Sequence, residues 1–352
     1  MTDYPEIKIA GRFIGQAHPP YVISELSANH NGSLEAALRL IDEAAKTGAD
    51  AVKIQTYTAD TITLKSDRPE FQITDGKWAG QSLYDLYASA NTPWEWHAEM
   101  FERARQRGIT MFSSPFDPTA VDLLEDLRAP AYKIASFEAV DLPLIRYVAS
   151  TGKPMIISTG MADADEIGEA IAAARDGGCK ELAILRCVSG YPAPAGDYNL
   201  ATIPDMMARF GLVTGLSDHT LDNTTAIAAV ALGASIIEKH MTEDRNGGGP
   251  DDSFSLEPFE FKQLCTSARK AWHAVGKVDY GRKSSELSNV TFRRSLYFVK
   301  DLNAGDVIKE EDFRSVRPGL GAAPKLADKI IGMRVGDAVK AGTPVQIDLL
   351  SK

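Results

Sequence analysis

Cysteine is scarce in this chain. Only Cys179, Cys187 and Cys265 occur among 352 residues, an odd number with no CxxC spacing; this speaks against a disulfide framework or a zinc cluster and for a reducing, cytoplasmic setting. The opening stretch MTDYPEIKIAGRFIG has neither the basic start nor the continuous apolar segment of a secretory signal, so no export is expected. Long apolar runs are missing too. The longest largely apolar stretch, Ala226 to Ile237, is about half the ~20 residues that span a bilayer, and it reads as a buried helix leading into a buried strand, with no membrane partner. Positive charge is in deficit: a net charge of −10 argues against nucleic-acid binding, because phosphate backbones select for excess Lys and Arg. A few buried cations can still hold a small anion. Neither GxGxxG nor a Walker loop stands where a strand meets a helix, which removes the common nucleotide fingerprints.

What remains is ordinary globular composition, 44% hydrophobic and 24% charged, with a strong internal rhythm. Short β-branched runs recur between residues 20 and 241: YVISELSA, DAVKIQTY, ITMFSSPF, AYKIASF, PMIISTG, LAILRCV, LVTGLSDH and SIIEKHM. The segments between them, such as 33–48 and 163–178, carry apolar residues at spacings of three and four and end in Gly, as helices do. Eight strand-helix units in series predict an α/β fold, a closed (β/α)8 TIM barrel over residues 1–280. An open doubly wound sheet is the alternative, although it would not naturally use eight equivalent units. The insert Thr58–Thr92, rich in Asp, Thr and Tyr, is too long for a simple connection and is expected to act as a lid. A helix is expected near 257–276, a polar Gly/Ser-bearing linker at 281–290, and a small second domain of short strands over 291–352. The charged positions Asp301 and Lys309 to Asp312 read as solvated surface.

In such a barrel the reactive groups sit at the carboxyl ends of the strands. Glu25 ends the first strand; Lys53 and Gln55 lie two apart on the second and so share a face. Inward-pointing Lys and Gln need partners, which a bound carboxylate or phosphate would supply. Ser114, Lys133, Ser136, Ser158 and Ser217 add hydroxyls and a second amine at the same rim, a plausible phosphate and carboxylate cradle. Each serine alone reads more simply as a helix N-cap. His219 and His240 end the last two strands, and adjacent barrel strands lie about 5 Å apart, so the two imidazoles could share one metal. A lone buried His reads more simply as structural; Glu25 beside them adds weight to the metal reading, for which oxygen and nitrogen donors with open positions favour Mn²⁺ or Mg²⁺ over structural zinc. A lysine Schiff base on Lys53 or Lys133 is the competing chemistry. The stripe Tyr84, Tyr87, Trp94, Trp96 reads as packing.

The motifs SELSANHNGS, GADAVKIQTY, YKIASFE, KPMIISTGMA, YPAP, GLSDHT, EKHMT and RSVRPGLG stand in one order along the chain, and in that order it resembles the sialic acid synthase family throughout its length. The resemblance implies a phosphoenolpyruvate-binding TIM barrel followed by a domain similar to type III antifreeze proteins (a SAF domain), in a domain-swapped homodimer. It implies His219 and His240 as metal ligands, Lys53, Ser114, Lys133, Ser136, Ser158 and Ser217 around phosphoenolpyruvate, and Glu25, Gln55, Tyr191 and Asp251 near an acetamido sugar and the reacting carbons. Arg317 of the RPG motif would reach in from the partner chain. Ser189 stands two before the Tyr of the YP motif, where the family commonly has Asn. QTYTADTITL, LYDLYASANTPWEWH and RRSLYFV resemble the branch of the family that acts on 2,4-diacetamido-2,4,6-trideoxy-L-altrose.

Overall fold

A computed structural model describes residues 4–76 and 78–352. The chain divides into two compact units, one ending at Gly276 and the other running from Lys277, four residues ahead of the 280 boundary expected above.

The first unit opens with an antiparallel hairpin, Glu6–Ile9 with Arg12–Gly15. Eight parallel strands follow and close into a barrel: β1 (Tyr21–Glu25), β2 (Ala51–Thr56), β3 (Thr110–Pro115), β4 (Tyr132–Ile134), β5 (Met155–Ser158), β6 (Leu182–Cys187), β7 (Val213–Asp218) and β8 (Ile236–His240). Each falls within one of the eight β-branched runs. Helices α1 (Leu34–Thr47), α2 (His97–Arg107), α3 (Pro118–Asp126), α4 (Leu142–Ser150), α5 (Ala164–Asp176), α6 (Thr202–Phe210), α7 (Thr224–Ala231) and α8 (Pro258–Val275) alternate with them. Local chemistry sets their ends. The Ser33 hydroxyl accepts the Ala36 N–H at 3.3 Å, and Gly48 closes α1 with φ +85°, a left-handed turn that glycine adopts without a Cβ penalty. Asp163 and Glu166 form a capping box at the start of α5.

Side-chain alternation makes the barrel interior two-layered. Tyr21, Ile23, Ala51, Phe112, Ala131, Ile156, Leu185, Val213 and Ile236 form one apolar cluster with Ile7, Ile9 and Ile14 of the hairpin, so the hairpin plugs the amino-terminal mouth. Two or four positions later on the same inward face stand Glu25, Lys53, Lys133, Ser158, Cys187, Ser217, Glu238 and His240, all buried. Outward residues such as Val22, Ile54 and Ile237 pack beneath the helices. The insert between β2 and α2 carries two short helices, Ala59–Ile62 and Leu83–Ala90.

The second unit has its own core of Leu296, Phe298, Ile308, Ile330, Val335 and Val345, with Ser295–Phe298 antiparallel to Phe313–Val316. The segment read as a linker contains a 3₁₀ helix, Ser284–Phe292, with Glu286 Oε2 accepting the Lys283 N–H at 2.8 Å. One expectation needs correction. Asp312 is not solvated: it is buried, pairs with Lys300 at 2.5 Å and accepts the Lys309 N–H at 2.7 Å. Among the described residues no helix is long and apolar enough to cross a membrane.

Candidate active site

The polar layer is organised around two lysines and two carboxylates. β1 pairs with β2 so that Glu25 faces Lys53, and Glu25 Oε2 lies 2.6 Å from Lys53 Nζ. Gln55 Nε2 donates to the other oxygen of Glu25 at 3.1 Å. Glu238, two positions before His240 and therefore on the same inward face, is 3.7 Å from Lys53 Nζ and 3.4 Å from Lys133 Nζ. The lysines thus find protein carboxylates as partners. Burial disfavours every one of these charges, and the balance differs by residue. Burial raises the Glu25 carboxyl, and Glu238 adds to the rise against the pull of Lys53. Glu238 is pulled down past its burial penalty by Lys133 and Lys53. Lys53 overcomes burial through two carboxylates and stays above the ordinary value, whereas burial prevails for Lys133 and lowers it.

Hydroxyls line one side of this cluster. Lys53 donates to Ser114 Oγ at 3.3 Å, and Ser217 Oγ donates to Glu238 at 3.3 Å. The Gly160 N–H donates to Ser136 Oγ at 3.1 Å. A Cβ at Gly160 would overlap Ser189 Oγ and come within 2.7 Å of Ser136 Oγ, so glycine there lets these two hydroxyls pack against the chain end of β5. Nearby, buried Ser158 Oγ and Ser189 Oγ find no hydrogen-bond partner among the described residues. A bound oxyanion would satisfy them.

His219 and His240 stand next, their ring centroids 5.4 Å apart. His219 Nδ1 lies 2.8 Å from the Val188 carbonyl, which fixes the ring, and against burial the neighbouring Cys187 raises its pKa above the ordinary value. His240 Nδ1 is buried with no partner. Burial, together with neighbouring His219 and Lys53, holds His240 far below its ordinary pKa, so it is the neutral imidazole that ligation requires. Among the described residues no group of three or more His, Cys, Asp or Glu is arranged around a common centre. A metal at these two rings would draw its other ligands from water or substrate, as an open site does.

Tyr191 packs against His219 at 4.4 Å between ring centroids. Gln55 Nε2 also reaches Ser27 Oγ at 3.1 Å, and Ser27 donates to Asp251 at 2.5 Å, so Gln55 and Asp251 are linked through one hydroxyl. All candidate residues of the barrel therefore meet at one mouth. Arg317 lies in the second unit, directly after Phe313–Val316. Trp94 and Trp96 pack as expected, Trp96 edge-on to His30 and Trp94 donating to the Tyr57 carbonyl.

Sequence reading missed three groups. Glu238 was detectable, because it lies two residues before His240 in a strand. Cys187 ends β6 opposite Ser217, where it interacts with His219 and Ser136; these contacts outweigh burial and lower its thiol. Glu138, in the 3₁₀ turn after Ser136, is pushed up by burial to about 7; nothing in its spacing marked it.

Residues 40–280 match the NeuB family and residues 293–351 match the SAF domain. The chain belongs to the NeuB family. It is 43% identical over 328 residues to the pseudaminic acid synthase of Campylobacter jejuni subsp. jejuni serotype O:2, covering 92% of this chain and 96% of that one. It is 40% identical to the pseudaminic acid synthase of Helicobacter pylori, covering 94% and 97%. The crystal structure of the N-acetylneuraminic acid synthetase from Leptospira borgpetersenii serovar Hardjo-bovis, in complex with citrate, superposes with a TM-score of 0.73 at 31% identity, covering 82% of this chain and 95% of that one. The family membership, the TIM-like barrel and the carboxyl-terminal SAF domain all agree with the sequence reading.

Proposed function

We propose that this NeuB-family enzyme is a pseudaminic acid synthase, condensing phosphoenolpyruvate with 2,4-diacetamido-2,4,6-trideoxy-L-altrose and water to give pseudaminic acid and phosphate. One observation carries the reading: a neutral-to-cationic rim of two buried lysines and orphaned serine hydroxyls in a chain 43% identical to a pseudaminic acid synthase along nearly its whole length.

Lys53 and Lys133 hold the phosphoenolpyruvate carboxylate and phosphate, with Ser114, Ser136, Ser158, Ser189 and Ser217 donating to the oxygens. This fixes C3 of phosphoenolpyruvate against C1 of the open-chain sugar, where positioning alone supplies several kcal/mol. C3 attacks the aldehyde carbon, whose oxygen takes up a proton from water to become the new hydroxyl, and positive charge develops at C2 of the former phosphoenolpyruvate. Water adds to C2 while Glu25 takes its proton; burial raises this carboxyl toward the pH at which a base works best. The tetrahedral centre then expels phosphate and leaves the 2-keto acid. Gln55, Tyr191 and Asp251 orient the sugar, and Arg317 of a partner chain's small domain completes the mouth in a domain-swapped homodimer.

His219 and His240 would hold a divalent metal, Mn²⁺ or Mg²⁺, which supplies Lewis-acid polarisation of a carbonyl. Charge balance supports it. Glu25 and Glu238 already offset the two lysines, so an incoming carboxylate and phosphate need further positive charge. The free cysteines fit a reducing cytoplasm.

The lowered Lys133 meets one requirement of a Schiff-base aldolase, and the same experiment separates the two. Phosphate release from phosphoenolpyruvate is measured with Mn²⁺, with and without EDTA, using the diacetamido-trideoxy-altrose, the legionaminic precursor and N-acetylmannosamine. EDTA-sensitive release with the altrose is the expected result. Preference for another sugar moves the enzyme to a legionaminic or N-acetylneuraminic acid synthase, and borohydride trapping without phosphate release overturns the proposal.

A further inference from the structure

A cavity of about 500 Å³ opens between the insert and the loop that follows β8. Trp78, Gln81, Leu86 and Ser89 face it from the insert, and Gly247 to Pro250 form the opposite wall with Asn31. Its lining contains no Lys, Arg, Asp or Glu, in contrast to the charged rim. Its chemistry is an indole, an aliphatic side chain, primary amides, a hydroxyl and glycine backbone. Such a surface suits a neutral group that combines methyls with amide hydrogen-bonding capacity, and it lacks the cationic side chain that would neutralise a phosphate.

The glycine wall is held firmly. Asp252 Oδ2 accepts from Asn31 Nδ2 at 3.0 Å and from the Gly249 N–H at 2.8 Å, while Asp252 Oδ1 accepts from Thr242 at 2.5 Å. A Cβ on Gly249 would overlap Asn31. Trp78 Nε1 donates to the Pro250 carbonyl at 3.4 Å, tying the insert to that loop. A line of rings leads from the cavity to the reacting end: Trp78 lies 6.0 Å from Tyr191, and Tyr191 lies 4.4 Å from His219. A sugar with its aldehyde at the histidines and its chain along Tyr191 would place its far carbons here.

We infer that this cavity is the specificity pocket for the distal half of the sugar, receiving the 4-acetamido group and the C6 methyl, with Trp78 and Leu86 against the methyl groups and Gln81 and Ser89 bonding the amide. The inference rests on the pseudaminic acid synthase reading above and extends it to residues in the insert. It also gives the insert a role, because the amide-and-indole wall exists only where those residues meet the loop after β8.

The test compares kcat/KM on the diacetamido-trideoxy-altrose and on N-acetylmannosamine, which lacks the 4-acetamido group and carries a hydroxyl at C6, in full-length wild type, Trp78→Ala, Trp78→Phe and Gln81→Ala. Trp78→Ala and Gln81→Ala are expected to lose about 10- to 100-fold on the diacetamido sugar, mainly in KM, with KM for phosphoenolpyruvate unchanged. Selectivity over N-acetylmannosamine narrows by the same factor, and Trp78→Phe stays near wild type. Equal losses on both sugars, or none, in variants with unaltered thermal unfolding overturn the pocket assignment alone. A wild type that releases no phosphate with the diacetamido sugar overturns the functional reading and the pocket together.

Discussion

Glu238 bridges the two rim lysines, 3.7 Å from Lys53 Nζ and 3.4 Å from Lys133 Nζ. Lys53 has Glu25 as a second carboxylate at 2.6 Å, whereas Glu238 is the only acidic ion-pair partner that Lys133 has among the described residues. Removing Glu238 therefore leaves Lys133 buried and uncompensated. Glu238→Gln is expected to cost about 3–5 kcal/mol in chemical denaturation. Lys133→Met in the same chain should restore part of that loss, so that the double variant costs clearly less than the sum of the two single ones.

Gly160 offers a sharper probe of the anion cradle. A Cβ there must displace Ser189 Oγ and crowd Ser136 Oγ, and Gly160→Ala is expected to raise KM for phosphoenolpyruvate at least tenfold while costing about 1–3 kcal/mol. Gly168 is the control. It lies inside α5 with nothing within 4 Å of its would-be Cβ, so Gly168→Ala should stabilise by about 0.5–1 kcal/mol and leave both KM values alone.

Most of this site was legible because period-two arithmetic is local. Once DAVKIQTY is a barrel strand, Lys53 and Gln55 must share a face. The same step applied to SIIEKHM joins Glu238 to His240, and it was available. What one sequence does not contain is the pairing of distant groups. The lysines read as partners of a bound ligand although Glu25 and Glu238 meet them, because the Glu25–Lys53 register on neighbouring strands and the reach of Glu238 to Lys133 on a distant strand appear only in the closed barrel. The 3₁₀ helix at Ser284–Phe292 escaped because its short-range turns and the Lys283–Glu286 cap need no apolar stripe. Asp312 escaped because a charged run looks solvated until Lys300 folds against it.

His97 carries a pH signature remote from the chemistry. Its ring nitrogens lie 2.8 Å from Thr56 Oγ1 and 3.1 Å from the Pro93 carbonyl, and burial lowers its pKa from 6.5 to about 4. The unfolded chain therefore binds the extra proton first, and the stability from neutral His97 is present above about pH 6.5 and lost as pH falls toward 4. Between pH 7.5 and 5.5 this single group should remove about 1 kcal/mol. His97→Gln lowers the baseline but should flatten that pH difference by the same amount, read from urea unfolding at the two pH values.

Asp218 and Lys239 are the residues immediately before the two histidines, and they face each other across β7 and β8. Because side chains alternate, they point away from the mouth while His240 points into it. Lys239 Nζ lies 2.7 Å from Asp218 Oδ2 and also donates to the Thr220 carbonyl at 2.6 Å and to its hydroxyl at 3.2 Å. Both ionic side chains are almost wholly buried, so the pair staples the two strands in one register directly behind the ring pair. Lys239→Met should cost about 3–5 kcal/mol by stranding Asp218. Pairing it with Asp218→Asn removes the stranded charge and should recover much of the stability, but not the ionic staple. If the staple positions the histidines, Mn²⁺ binding followed by electron paramagnetic resonance should remain weaker in the double variant, at the roughly 10- to 100-fold level typical of outer-shell changes. Wild-type affinity in a stable double variant would mean that the strand ladder alone sets the ring spacing and that the ion pair serves only the fold.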